Sequence, residues 1–276
     1  MSEKEKGTNN SRFREIISVL RKHNITRGIS PKKLRLIMED LGPTFVKIGQ
    51  IMALHSDILP KAYCDELMEL CTDARPMPFE EAVSVIDESY GRSWKKVFAS
   101  IEETPIGSAS IAQVHRAVLK SGEEVVVKIQ RKGIYEMMAR DIEFIRKAIK
   151  LMPPISLKGM ADFDLVLDEL WSVTRDEMNF LTEASNIEEF ARRNKDVNFV
   201  QTPVLYQQYT TVHVLVMEYI DGCGIDEKDK LLEDGYDLKE IGSKLVDNYI
   251  KHRGCGRTQR PARRCARHRQ IHAGPP

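Results

Sequence analysis

Residues 104–130, "TPIGSASIAQVHRAVLKSGEEVVVKIQ", place β-branched and apolar residues on both sides of a Ser121-Gly122 pair. Two such runs around a short glycine turn predict strands joined as an antiparallel hairpin. The chain before them has a different texture. Phe13, Ile16, Ile17 and Leu20 recur at helical spacing, as do Leu34, Ile37, Met38 and Leu41 behind a Ser30-Pro31 start. Gly42-Pro43 closes that helix and opens a third with Phe45, Ile48 and Met52, and Pro60 and Pro78 open two more. Helical periodicity returns at 134–150 and 162–193. A second strand pair, "VQTPVLY" and "TVHVLVMEY", is expected around Gln207-Gln208, and Leu238, Ile241, Leu245 and Tyr249 share one helical face. This order predicts an α+β fold. A helical extension covers 1–100, a small antiparallel sheet with packed helices 101–221, the start of a further lobe 222–252, and a tail 253–276.

The chemistry-bearing residues cluster around the first hairpin. Gly107, Ala109 and Ala112 stand at the three glycine positions of a G-x-G-x-x-G phosphate loop, with Ser108 and Ser110 between them. Backbone N–H groups in such a loop can approach phosphate, and Lys128, one strand later, is where a phosphate-gripping lysine would sit. An ordinary hairpin with a solvated lysine explains the same residues, because one loosened glycine motif is a weak signal. Two other stretches add weight. "FVKIGQIM" sets Lys47, Gly49 and Gln50 into an apolar helix, where a glycine costs about 1 kcal/mol and usually marks close backbone approach. "DEMNFLTEASN" supplies Glu177, Glu183 and Asn186 after the Lys128 strand, and a helix carboxylate is what holds such a lysine in position.

Taken in order, Lys47-x-Gly49-Gln50, the Ala-rich loop, Lys128, "EMNFLTEASN" and "LVMEYIDG" resemble the UbiB/AarF-type atypical kinase-like family linked to ubiquinone biosynthesis, over about residues 30–252. The resemblance implies a kinase-like small lobe preceded by the helical extension. It implies ATP or ADP held by Gly107, Ser108, Ala109, Ser110 and Lys128, with Glu183 as the ion-pair partner of Lys128. Main-chain atoms from Glu218 to Ile220 would meet the adenine. The K-x-G-Q helix would give Lys47, Gly49 and Gln50 a gating role opposite the family's E-x-D element. That element reads Glu177-Met178-Asn179 here, so its second carboxylate is an amide.

The resemblance stops at the tail. An H-x-D-P-H-x-G-N catalytic loop and a metal-binding Asp should follow the helix at 238–252, and neither occurs. Mg²⁺ is therefore expected for the intact family but not fully liganded by this chain, and no catalytic residue is assigned. Formal net charge is +1, yet 253–276 hold seven Arg and no acid, which leaves −6 for residues 1–252. A mildly acidic body gives no reason to expect nucleic acid. The tail itself admits three readings: a basic arm for an anionic membrane or nucleic acid, a zinc set from Cys255, Cys265, His268 and His272, or a shifted reading frame. Five cysteines without a C-x-x-C pair, a polar start and no membrane-length apolar run imply a reduced, cytoplasmic setting, soluble or peripheral to a membrane. The expected partners are a nucleotide and, through the resemblance, a membrane surface or lipid- and quinone-pathway proteins.

Residues 258–264, "TQRPARR", back-translate with allowed codons into a sequence that reads His-(Ser/Asn)-Asp-Pro-His-Ala-Gly one base later. Sequencing the DNA around codons 250–276 is expected to show an open alternative frame encoding H-x-D-P-H. A closed alternative frame would instead make the arginine tail native.

Overall fold

The computed structural model describes residues 3–54, 56, 59–71, 75–151, 163–225 and 227–253, so Cys255, Cys265, His268, His272 and the arginine tail lie outside the described residues. The elements are α1 (Glu3–Lys22), α2 (Pro31–Leu41), α3 (Pro43–Met52), α4 (Lys61–Met68), α5 (Phe79–Tyr90), β1 (Phe98–Ile101), β2 (Gly107–Ser108), β3 (Ala112–Leu119), β4 (Glu124–Gln130), α6 (Ile134–Leu151), α7 (Phe163–Glu177), α8 (Phe180–Asn194), β5 (Val214–Glu218), α9 (Lys228–Glu233) and α10 (Leu238–Arg253). The α+β expectation holds: the helices accompany one small antiparallel sheet, ordered β1-β3-β4-β5, with β2 paired to β3.

Three details differ from the sequence reading. The run at 104–120 is not one strand, because a tight turn at 109–111 splits it into β2 and β3, closed by Ala109 N–H to the Ala112 carbonyl at 2.8 Å. Strand β1 begins inside the stretch read as wholly helical; Phe98 and Ile101 are buried while Ala99 and Ser100 are exposed, so the strand is too short and too mixed to announce itself. The stretch 200–206 forms no strand. It touches β5 through one bridge, Leu205 to Met217, since Pro203 can donate no ladder bond.

The chain divides into two compact units, one from 1–88, 103–115 and 128–178, the other from 89–102, 116–127 and 179–276. In the first, helix starts follow the expected caps: the Ser30 hydroxyl accepts from Lys33 N–H before Pro31, and Gly42 takes φ 91° between α2 and α3. Helix α3 then packs on both sides. Gly49 faces Met38 and Leu70, while Ile48 and Ile51 lie against Ile142 and Leu167 of α6 and α7. Its first turn is pinned by a buried carboxylate. Asp141 of α6, 1% exposed, accepts two bonds from Arg12 at 2.8 Å and one from the Thr44 hydroxyl at 2.6 Å. Arg12 also donates to the Leu41 carbonyl at the end of α2, and its bonds to Asp141 raise the guanidinium pKa above its usual value.

In the second unit, β1 pairs antiparallel with the distal half of β3, and the Ser121-Gly122 turn closes the hairpin with Gly122 at φ 102°. Helix α8 packs beside β5, where Phe180 N–H donates to the Val212 carbonyl. The stripe Leu238, Ile241, Leu245 and Tyr249 is half-buried. Val246 and Ile250 of α10 are exposed, while Asn248 between them is buried and donates to Asn194 at 2.6 Å.

Replacing Asp141 by Asn should strand the Arg12 charge and cost about 3–5 kcal/mol in urea denaturation. Asp65→Asn, which breaks the exposed Lys61–Asp65 pair, should leave the midpoint unchanged. A midpoint for Asp141→Asn within experimental error of the parent would remove the carboxylate from its central place.

Candidate functional site

The residues singled out from the sequence fall in both units. Lys47, Gly49, Gln50, Gly107, Ser108, Ala109, Ser110, Lys128 and Glu177 belong to the first, and Asn179, Glu183, Glu218 and Ile220 to the second.

Within the first unit, α3 carries the K-x-G-Q residues. Lys47 is 8% exposed and forms an ion pair with Glu177 at the end of α7. An ammonium buried to that degree requires a partner carboxylate. Gly49 is needed for space: a Cβ there would lie 2.4 Å from Leu70 Cδ1 and 2.5 Å from Met38 Sδ. Both atoms sit in one buried cluster with Leu67, so neither can yield without disturbing its neighbours. Gln50 is spent on structure too, donating from Nε2 to the Leu70 carbonyl at 3.0 Å.

The Ala-rich loop is a closed hairpin. Gly107 and Ser108 pair with Val114 and Gln113, and Ile106 N–H donates to the Val114 carbonyl. Gly107 needs neither a left-handed backbone nor empty space, since a Cβ there would meet nothing within 4 Å. Alanine fits this position equally well. The hairpin is held from below by Arg131, which the sequence reading passed over. Its guanidinium donates to the Ala109 carbonyl at 2.9 Å, the Ser108 hydroxyl at 2.9 Å and the Arg75 carbonyl at 2.8 Å, while its own N–H bonds the Ile111 carbonyl. No carboxylate among the described residues forms an ion pair with it, and burial pulls its pKa below the usual value.

Two buried amides fix the strands around this hairpin. Gln113 both accepts from Met77 N–H at 2.8 Å and donates to the Met77 carbonyl and to His115 Nε2, which ties 75–78 to β3. Since the Gln113 oxygen is taken by Met77, its nitrogen is the donor, so His115 is assigned the Nδ1–H tautomer. Gln130 donates to the Met178 carbonyl at 2.9 Å, which joins the Lys128 strand to the end of α7 beside Glu177. Lys128 itself is half-buried on β4. Polar amides inside apolar strands were the available signal for both.

In the second unit, the Asn179 side chain caps α8, its Oδ1 accepting from Leu181 N–H at 3.1 Å. Glu183 stands half-buried in the first turn of that helix. Glu218 is engaged twice with Val204: its N–H donates to the carbonyl and its carboxylate accepts from the Val204 N–H. Tyr219 N–H donates to the Glu124 carbonyl, and the Arg116 guanidinium lies 4.2 Å from the Tyr219 ring centre. Ile220, directly after these anchored residues, makes no hydrogen bond among the described residues.

A family model described as the ABC1 atypical kinase-like domain matches residues 69–253. An uncharacterized protein from the hydrogenase 1 5′ region of Clostridium pasteurianum is 43% identical over 222 residues, covering 80% of this chain and 42% of its own. The chloroplastic ACTIVITY OF BC1 COMPLEX KINASE 8 protein of Arabidopsis thaliana is 37% identical over 236 residues, 84% of this chain and 30% of its own. The probable protein kinase UbiB of Pseudomonas aeruginosa is 35% identical over 232 residues, 83% and 43%. The chain spans less than half the length of these relatives. A Mycobacterium tuberculosis protein solved in complex with erythromycin shares 31% identity at a TM-score of 0.48, covering 65% of this chain and 45% of that one.

The buried pair makes an asymmetric prediction. Glu177→Gln leaves the Lys47 charge uncompensated and should cost about 3 kcal/mol, whereas Lys47→Met, apolar and of similar volume, should stay within about 1 kcal/mol of the parent. Both are read from denaturant midpoints at neutral pH, and equal losses would mean that the lysine charge itself is required.

Proposed function

The chain belongs to the ABC1 atypical kinase-like family, of the UbiB type, and on that footing we propose that it is a nucleotide-binding protein taking ATP or ADP. What supports the reading is the closed hairpin at 107–112 with Lys128 on the following strand, together with the main-chain N–H of Ile220 after an anchored β5, which makes no hydrogen bond among the described residues. Gly107, Ser108 and Ser110 would offer backbone N–H groups and hydroxyls to the phosphates, with Ala109 shaping the turn between them. Lys128 would grip the α- and β-phosphates, with Glu183 holding the ammonium in place. The Glu218 carbonyl and Ile220 N–H would read the adenine edge. Lys47, Gly49, Gln50 and Glu177 would set how α3 closes over the site, with Asn179 contributing a helix cap in place of a second charge.

A bound nucleotide would bring Mg²⁺, but these 276 residues contain no H-x-D-P-H-x-G-N loop to ligand it fully. Positioning is most of what catalysis supplies in phosphoryl transfer, so this polypeptide is read as binding without turnover. A place in quinone or lipid metabolism, in the cytoplasm or at a membrane surface, rests on the family resemblance.

In equilibrium dialysis the chain should bind ADP, and Lys128→Ala should weaken it about 10- to 100-fold, the loss expected for a charge-assisted phosphate contact. Phosphate release from ATP should stay at the level of the Lys128→Ala chain. Absence of ADP binding at millimolar concentration would overturn the nucleotide reading, and Lys128-dependent hydrolysis would overturn the non-catalytic one.

A further inference from the structure

A second candidate site lies within the first unit. Between the start of α3, the 75–78 segment and the start of α6 is an open cleft of about 540 Å³. Among the described residues, Arg75, Arg131 and Lys132 supply three cations to its lining, against one acid, Glu81. Pro43, Met77, Ile134 and Met137 make the remainder apolar. The N-terminal end of α6, which begins at Ile134, adds the positive end of an 18-residue helix.

Charge complementarity points in one direction. Arg131 is partly desolvated and its three side-chain hydrogen-bond partners are neutral oxygens, with Glu81 the acid whose charge acts on it. Lys132 reaches outward to Glu88 from the same turn. A cleft whose lining combines a net positive charge, a partly desolvated guanidinium and apolar residues suits a molecule that carries both an anionic group and an apolar body. We propose that this cleft binds an organic phosphate, a phosphoryl group carried on an apolar body, and that its occupancy stiffens the Ala-rich hairpin. Arg131 is the link, because this cleft-lining residue holds Ser108 and Ala109 through its guanidinium. The binding step goes beyond the nucleotide reading and does not depend on it; only the effect on the hairpin rests on that reading.

The test uses 1-naphthyl phosphate as a fluorescent probe on the full chain, with 1-naphthol and inorganic phosphate as controls. The probe should bind at about one per chain, at least tenfold more tightly than either control, and more weakly as salt rises. Arg75→Ala and Lys132→Ala, both on exposed side chains, should each weaken it several-fold, and Glu81→Gln should tighten it. The opposite signs separate a charge effect from a folding defect. Lys128→Ala should leave probe binding unchanged, and saturating ADP should not displace it, so this site can fail or stand apart from the nucleotide site. Phosphatidylglycerol vesicles distinguish the source. Vesicle binding that the probe competes away assigns a lipid headgroup, and probe binding without vesicle binding assigns a free phosphate ester. Probe affinity equal to that of naphthol or of inorganic phosphate, indifference to the three substitutions, or displacement by ADP would each overturn the proposal.

Discussion

One buried carboxylate organises the first unit. Asp141 receives Arg12 from α1 and Thr44 from α3, and it is nearly without solvent contact. A lone carboxylate at that depth would be too costly to keep ionised, so the site persists only while the guanidinium and hydroxyl are both in place. Fixing Thr44 fixes the first turn of α3. One turn later comes Lys47, which reaches Glu177, and then Gly49, which allows α3 to lie directly against Met38 and Leu70. The K-x-G-Q residues are thus positioned by a clasp three residues before them, on a helix packed along both sides.

The Ala-rich hairpin is held by a different principle. Arg131 gathers two carbonyls and a hydroxyl, with no ion pair among the described residues, where Arg12 answers a carboxylate. Charge-assisted bonds to neutral acceptors give direction to the loop while leaving net positive charge beside it. An ordinary salt bridge would have given the same rigidity and lost that potential.

Much of the architecture was legible because its signals are local. Proline and glycine punctuation placed α2, α3 and the Ser121-Gly122 turn, and helical periodicity placed α6 and α10. The failures have separate causes. The break at 109–111 depends on a partner distant in sequence, Arg131 at the hairpin tip, whereas the single bridge at 200–206 follows from Pro203 within the stretch itself. For the candidate site, the pattern drew attention to Lys47 as a charge in an apolar helix and to Glu177 by its place in the motif order. Arg131 carries no such contrast: "KIQRKG" reads as a polar turn until the carbonyls it holds are known. Asn179 shows how one residue can belong to a family motif and still be occupied by a local duty, the capping of α8.

The seat of Asp141 also bears on synthesis. Arg12 and Thr44 precede their carboxylate by 129 and 97 residues. At about 5–20 residues per second, the first helices would wait roughly 5–25 s on the ribosome for the residue that clasps them. Helices α2, α3 and α4 can associate meanwhile through Met38, Leu67 and Leu70, since those contacts are close in sequence. The face of α3 that meets Ile142 and Leu167 has no such early cover. A nascent chain of this design carries an apolar surface in waiting, the kind of surface that holding chaperones recognise, until α6 and α7 emerge.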